Sequence, residues 1–213
     1  MSVGPILLAD GNTPATGRQG KSGEAIVGQA HGKWFEAASR GVLFGACEQA
    51  GVAPGTALGT TACLALYNPA KSGKRLIVCK TSLGYISGTL GAGTVFHCAN
   101  IKVAGTAVAA PSGGTSLTVY SRNIGGEPLV SSQDAVGLVR TNCTVTQPIA
   151  MRPFASLQAS LASTAVGPWM LTEDMAGEFV IEPGYCYQLQ AIAAAGSTPL
   201  VAPGVMWEEI PIL

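Results

Sequence analysis

Apolar and polar residues alternate along much of this chain with the two-residue period of a β-strand, and the pattern is clearest from Cys63 to Asn100. Three apolar runs there, 60–67, 75–87 and 94–99, are of strand length and rich in β-branched and aromatic residues. Between them stand Asn68-Pro69-Ala70-Lys71-Ser72-Gly73-Lys74 and Gly88-Thr89-Leu90-Gly91-Ala92-Gly93, residue types that reverse a chain. The pattern predicts an antiparallel meander. In the middle run Ile77, Cys79, Thr81, Leu83 and Tyr85 share one face, expected to be buried, and Leu76, Val78, Lys80, Ser82 and Gly84 share the other. That second face begins apolar and turns polar, as in a strand that starts between two layers and ends near solvent.

The rest of the chain reads similarly. Residues 25–47 mix strand-like apolar pieces with polar ones, and Trp34 and Phe35 are expected to anchor a sheet. Further short strands are predicted at 101–109, 116–121, 133–140, 142–147 and 178–181. In 185–194, Tyr185, Tyr187, Leu189 and Ala191 form an apolar face opposite Cys186, Gln188, Gln190 and Ile192. Residues 201–212 close the fold. Only 157–164 has fair helix propensity, and it is too short to stand alone. About ten short strands without alternating helices predict an all-β fold, an antiparallel two-sheet sandwich that is jelly-roll-like. Residues 1–24, glycine-rich and polar after a short apolar tag, form an extended N-terminal arm, and 25–213 form a single domain.

Composition adds that the outside is weakly charged. Only 11 % of the 213 residues are charged and 28 are glycine, against about one quarter charged and about 7 % glycine in an ordinary domain. A surface of this kind suits coverage by copies of itself or by another protein, because interface centres are depleted in charge. A formal net charge of zero argues against direct nucleic-acid binding, which needs concentrated Lys and Arg. The charges are uneven: residues 1–152 hold all 12 bases and six acids, and residues 153–213 hold six acids and no base. Either the two halves neutralise each other across strands, or the asymmetry serves head-to-side contact between copies.

Candidate chemistry is sparse. The six cysteines never form C-x-x-C, several lie in apolar strand runs, and the amino terminus lacks a secretory pattern, so free thiols made in a reducing cytoplasm are expected. No run has the length of a membrane span. Gly20-Lys21-Ser22 lacks the leading glycine of a phosphate loop, since Ala15 stands there. His31 and His97 are the two histidines; His31 reads as a surface or interface side chain and His97 as a hydrogen-bonded strand residue. Glu208 and Glu209 are adjacent in a strand and so face opposite ways, which spoils acid–base teamwork. The Glu182-Pro183-Gly184-Tyr185 turn resembles the Pro-Gly corner of cupin barrels, but 185–192 has neither the His nor the Glu of their metal sites. No catalytic residue, cofactor or metal site is expected, and the chain is not read as an enzyme.

Taken together, Leu66-Tyr67-Asn68-Pro69 with Ser72-Gly73-Lys74, the run from Gly84 to Gly93, Pro183-Gly184-Tyr185 through Ala193-Ala194-Ala195-Gly196, and Trp207-Glu208-Glu209 resemble the small β-rich structural proteins of tailed bacteriophages. Among these the chain is most similar to jelly-roll capsid decoration, or cement, proteins; the resemblance spans about residues 60–100 and 180–212. It implies a virion protein that forms a homotrimer and sits on the outer capsid, bridging major capsid protein subunits. Arg18 and Lys21 in the arm, and Trp34 beyond it, are nominated as partner contacts, with core packing the other reading of Trp34. The competing expectation is a tail-associated or receptor-binding protein whose 122–128 loop takes a host-surface glycan.

Overall fold

The computed structural model describes residues 6–7, 14–15, 32–89, 91–100, 108–124, 135–157, 170–193 and 197–212. The chain divides into two compact units, Met1–Glu36 and Ala37–Leu213. In the first, β1 (Ile6–Leu7) pairs antiparallel with β2 (Pro14–Ala15); the remainder of the expected arm, with Arg18, Lys21 and His31, lies outside the described residues. A one-turn helix, α1 (Phe35–Ser39), follows. It corrects the expectation that Phe35 anchors a sheet: Phe35 is half exposed on that turn.

The second unit is all-β, two antiparallel sheets packed face to face. The strands are β3 (Leu43–Cys47), β4 (Thr61–Tyr67), β5 (Lys74–Thr89), β6 (Gly93–Asn100), β7 (Thr115–Ser116), β8 (Tyr120–Ser121), β9 (Leu138–Thr144), β10 (Pro148–Leu157), β11 (Met170–Ile181), β12 (Cys186–Ala193) and β13 (Ser197–Pro211). One sheet has the order β10-β6-β12-β4-β9-β7 and the other β11-β5-β13-β3-β8. The pairings are nested: β3 with β13, β4 with β12, β5 with β11, β6 with β10 and β7 with β9. The unit is thus one long antiparallel ribbon, folded near β8 and wrapped so that most successive strands change sheets, which is the jelly-roll plan.

This topology overturns the meander. β4 and β6 flank β12 in the six-stranded sheet, and β5 lies in the opposite sheet between β11 and β13. The turn residues reverse the chain as expected, but each reversal carries it across the sandwich instead of alongside the previous strand. Of the strand expected at 101–109, residues 101–107 lie outside the described residues, as do 158–164 of the segment with helix propensity.

The interior comes from alternate residues of both sheets. Leu64 and Leu66 of β4, Tyr187 and Leu189 of β12, Leu76, Val78 and Leu83 of β5, and Val201, Val205 and Trp207 of β13 all belong to one buried cluster, each large aliphatic side chain contributing about 1.5–3 kcal/mol relative to exposure. In β5 the buried parity does not run as the alternation predicts. Met206 pairs with Lys80 but Trp207 with Val78, so Cys79 is an extra, bulged residue. Before the bulge Leu76 and Val78 face the core and Ile77 is half-buried; after it Thr81 and Leu83 face the core and Lys80 is exposed.

The back of β12 is buried too. Gln188 and Gln190 are 0 % and 2 % exposed. Gln190 Nε2 donates to the Gly59 carbonyl (2.8 Å) and to Gln188 Oε1 (3.3 Å), Gln188 Nε2 donates to Asn100 Oδ1 (3.1 Å), and Asn100 Nδ2 donates to the Thr146 carbonyl (2.9 Å). This amide ladder satisfies side chains that would otherwise be costly to bury.

Candidate functional site

The jelly-roll winding leaves β10 at the end of one sheet and β11 at the end of the other, and the two are joined through side chains. His97, on β6, is fully buried. Its Nδ1 lies 2.6 Å from the Tyr187 hydroxyl of β12 and its Nε2 lies 2.9 Å from Glu173 Oε2 of β11. A carboxylate only accepts, so Nε2 carries the hydrogen and the Tyr187 hydroxyl donates to Nδ1. Arg152 of β10 then donates to Glu173 Oε1 (2.7 Å) and to Glu178 Oε2 (2.7 Å). Phe154, Phe179 and Tyr187 enclose the imidazole, with ring centroids 5.0, 5.6 and 5.9 Å away.

Two backbone irregularities aim these groups. The register of β11 against β5 breaks between Asp174 and Phe179, across from the Cys79 bulge, and Ala176 and Gly177 there have φ of 48° and 86°. The excursion tucks Met175 into the core, 3 % exposed, and brings Glu173 and Glu178 onto Arg152 from both sides. In β10 the register shifts between Ala150 and Arg152, turning Arg152 toward the opposite sheet.

The electrostatics follow from burial and partners. Burial alone raises the Glu173 carboxyl, but hydrogen bonds from Arg152 and His97 outweigh it and hold it below the ordinary carboxylate value. Desolvation dominates at His97 and holds the imidazole below its ordinary value, against the pull of Glu173. Burial pushes the Tyr187 phenol up. Both nitrogens of His97 are engaged and the ring is enclosed, so the arrangement ties the sheets together and offers a substrate no free imidazole atom.

Beside this seam, sharing Phe179 and Tyr187 with it, opens a cleft of about 360 Å³ between β11 and the β6–β12 pair, whose lining includes Asn100, Ile181, Glu182 and Tyr185. The Glu182-Pro183-Gly184-Tyr185 turn at its mouth forms as expected: Gly184 has φ of 87°, and the Tyr185 amide donates to the Glu182 carbonyl (3.1 Å). Asn68 fastens this end, with Nδ2 donating to the Lys74 and Ile181 carbonyls (both 2.8 Å).

Glu209, unlike the half-buried Glu173, is a fully buried acid, 1 % exposed. It accepts from the amides of Val136 (2.9 Å) and Gly137 (3.0 Å), from Trp207 Nε1 (3.1 Å) and from Lys74 Nζ (3.0 Å). Glu208 is half-buried, so the neighbours do face apart. Glu48 is also buried and accepts from Thr141 Oγ1 (2.5 Å) and from the Gln49 and Ala50 amides; burial raises its carboxyl, but these bonds prevail and hold it below the ordinary value.

The charge asymmetry resolves across strands within the second unit. Lys74–Glu209, Arg75–Glu182, Arg152–Glu173 and Arg152–Glu178 each join a base from residues 1–152 to an acid from 153–213. Of the nominated partner contacts, Trp34 is half-buried and Lys33 Nζ lies 4.6 Å from its ring centroid, while Arg18 and Lys21 lie outside the described residues. The seam carried no sequence signal, because its members come from four strands and His97 is 76 residues from Glu173 and 90 from Tyr187.

Among the described residues, no group of three or more His, Cys, Asp or Glu side chains is placed to hold a metal ion, and no helix is long and apolar enough to cross a membrane. All six cysteines are unpaired, and five of them are buried. In comparisons with protein-family models, curated proteins and solved structures, the chain has no match in any of the three.

Proposed function

We propose that the protein is a structural virion component that works by adhesion, binding the outer surface of a phage capsid as a homotrimer and stabilising it by bridging major capsid protein subunits. The observation that carries this reading is a jelly-roll surface where several acids are consumed by internal ion pairs while large apolar side chains stand outside. Ile124 is 90 % exposed, Met170 72 %, and Leu138, Tyr120, Val180 and Met151 about half. Exposed apolar groups on a charge-poor surface suit coverage by protein, and among the described residues β10 and β11 are edge strands, the kind of element that takes a neighbour's backbone. Contacts of standard size, about 1,600 Å², repeated over a shell would resist internal pressure through many modest interfaces.

The test is addition of the purified chain to tail-less shells, read by co-sedimentation and by the temperature at which the shells rupture. Saturable binding with a higher rupture temperature is expected; a chain that stays in the supernatant at every ratio sinks the reading. Deleting residues 1–24 is expected to weaken shell binding and leave the β-rich spectrum unchanged.

The aromatic lining of the cleft, Phe179, Tyr185 and Tyr187 with Asn100 and Glu182, favours a second reading, a tail-associated protein that takes a host-surface glycan. Jelly rolls also serve as lectins. Glycan-array binding that is lost in Tyr185→Ala, together with no binding to shells, would select it.

A further inference from the structure

Between the edge strands β10 and β11 runs an unbroken chain of hydrogen bonds, Tyr187–His97–Glu173–Arg152–Glu178, drawn from four strands of both sheets. The imidazole sits in its middle and is held as one neutral tautomer by a donor on one side and an acceptor on the other. A second proton on the ring must go to Nδ1. There it meets the Tyr187 hydroxyl hydrogen already directed at that atom, and the shortest link in the chain, 2.6 Å, is lost unless the phenol turns. β11 is the strand best placed to give way. It is an edge strand, and its ladder to β5 is already broken between Asp174 and Phe179 by residues with positive φ.

We propose that this chain is an acid-operated latch: proton uptake at His97 breaks the Tyr187 link and lets the β11 edge part from β10 and β6, uncovering the rings of Phe154 and Phe179. The titratable and charged groups that face His97 are Arg152 from β10, Glu173 and Glu178 from β11 and Tyr187 from β12; Thr81 of β5 is neutral and directs its hydroxyl to Met175 Sδ (3.9 Å). Burial makes the closed imidazole a weaker base than a free one, so the open state binds more protons. The latch therefore holds fully above the ordinary histidine value of 6.5 and loosens as pH falls below it. Glu173, held below its ordinary value of 4.5, keeps its own bonds to lower pH and would release in a second step. The inference concerns the single folded chain and stands apart from the adhesion reading.

The test is hydrogen–deuterium exchange on the full chain from roughly pH 8 to pH 5, corrected for intrinsic rates, in wild type, His97→Gln and His31→Gln. A glutamine at 97 can still accept from Tyr187 and donate to Glu173, but it takes up no proton. In wild type the opening of residues 170–181 is expected to rise by up to about tenfold per pH unit below the histidine range, while the β3–β13 ladder keeps its protection. His97→Gln should be flat over that window and His31→Gln should follow wild type. Should His97→Gln fail to fold, imidazole NMR on wild type replaces it, and coincident midpoints for His97 protonation and β11 exchange are expected. The latch is overturned by the same β11 profile in His97→Gln, by His97 protonation without faster β11 exchange, or by acid-enhanced exchange spread evenly over both sheets.

Discussion

Removing the Glu209 carboxylate should destabilise the fold by an amount that depends on what replaces it. The side chain is wholly buried, and it satisfies the Val136 and Gly137 amides, the Trp207 indole N–H and the Lys74 ammonium. Glu209→Ala strands three buried donors at about 1–3 kcal/mol each before relaxation. Lys74 is 29 % exposed and can turn to water, so its lost pairing adds about 1 kcal/mol or less. Partial opening of 135–137 to water brings the total into the range of a broken buried ion pair, about 3–5 kcal/mol. For a domain of this size that lowers the melting temperature by roughly 6–20 °C. Glu209→Gln keeps an acceptor oxygen for the amides and the indole, and should cost about 1 kcal/mol. Urea unfolding followed by far-UV circular dichroism measures both, with exchange at Val136 and Gly137 as a local check. If the Ala and Gln variants agree within about 0.5 kcal/mol, the donors are not what the carboxylate holds and the reasoning fails.

Gly137→Ala should destabilise by about 1–3 kcal/mol, because a Cβ there would lie 2.9 Å from Trp207 Nε1 and 3.0 Å from two ring carbons; thermal melts read it, and an unchanged midpoint would deny the close approach. Ala176→Gly should stabilise by up to about 1 kcal/mol by relieving a left-handed alanine, φ 48°, seen as a higher urea midpoint; a lower midpoint would show that the conformation carries no strain. A thiol reagent at mildly alkaline pH should label native protein at Cys47 and label all six cysteines after denaturation. The other five are buried, and desolvation pushes Cys98 up to about 12 and Cys143 up to about 11. Mass spectrometry of the native digest decides, and fast labelling of Cys98 would contradict its burial.

Strand content was legible because a two-residue period and turn chemistry are local. The limits of β4, the Pro183-Gly184 turn and the apolar face of Tyr187, Leu189 and Ala191 all follow from a few neighbouring residues. Partner choice was not legible, since nested pairing joins β3 to β13 across the whole unit and neighbouring strands carry no mark of which sheet they enter. A single extra residue at Cys79 was equally silent, although it reverses which side of β5 is inside. Gln188 and Gln190 read as an outward polar face because an amide with an internal partner looks, in sequence, like an amide in water. The seam was hidden for the same reason: Arg152, Glu173 and Glu178 read as charges, and only the excursion at Ala176 and Gly177 brings them together.

The place of β13, between β3 and β5 in the middle of its sheet, bears on biosynthesis. β13 leaves the ribosome after both of the strands it pairs with, so β3 and β5 must wait with a vacant slot between them until it emerges, and neither can complete its ladder early. Nascent chains stalled before residue 197 should therefore be recognised by chaperones and proteases as unfinished.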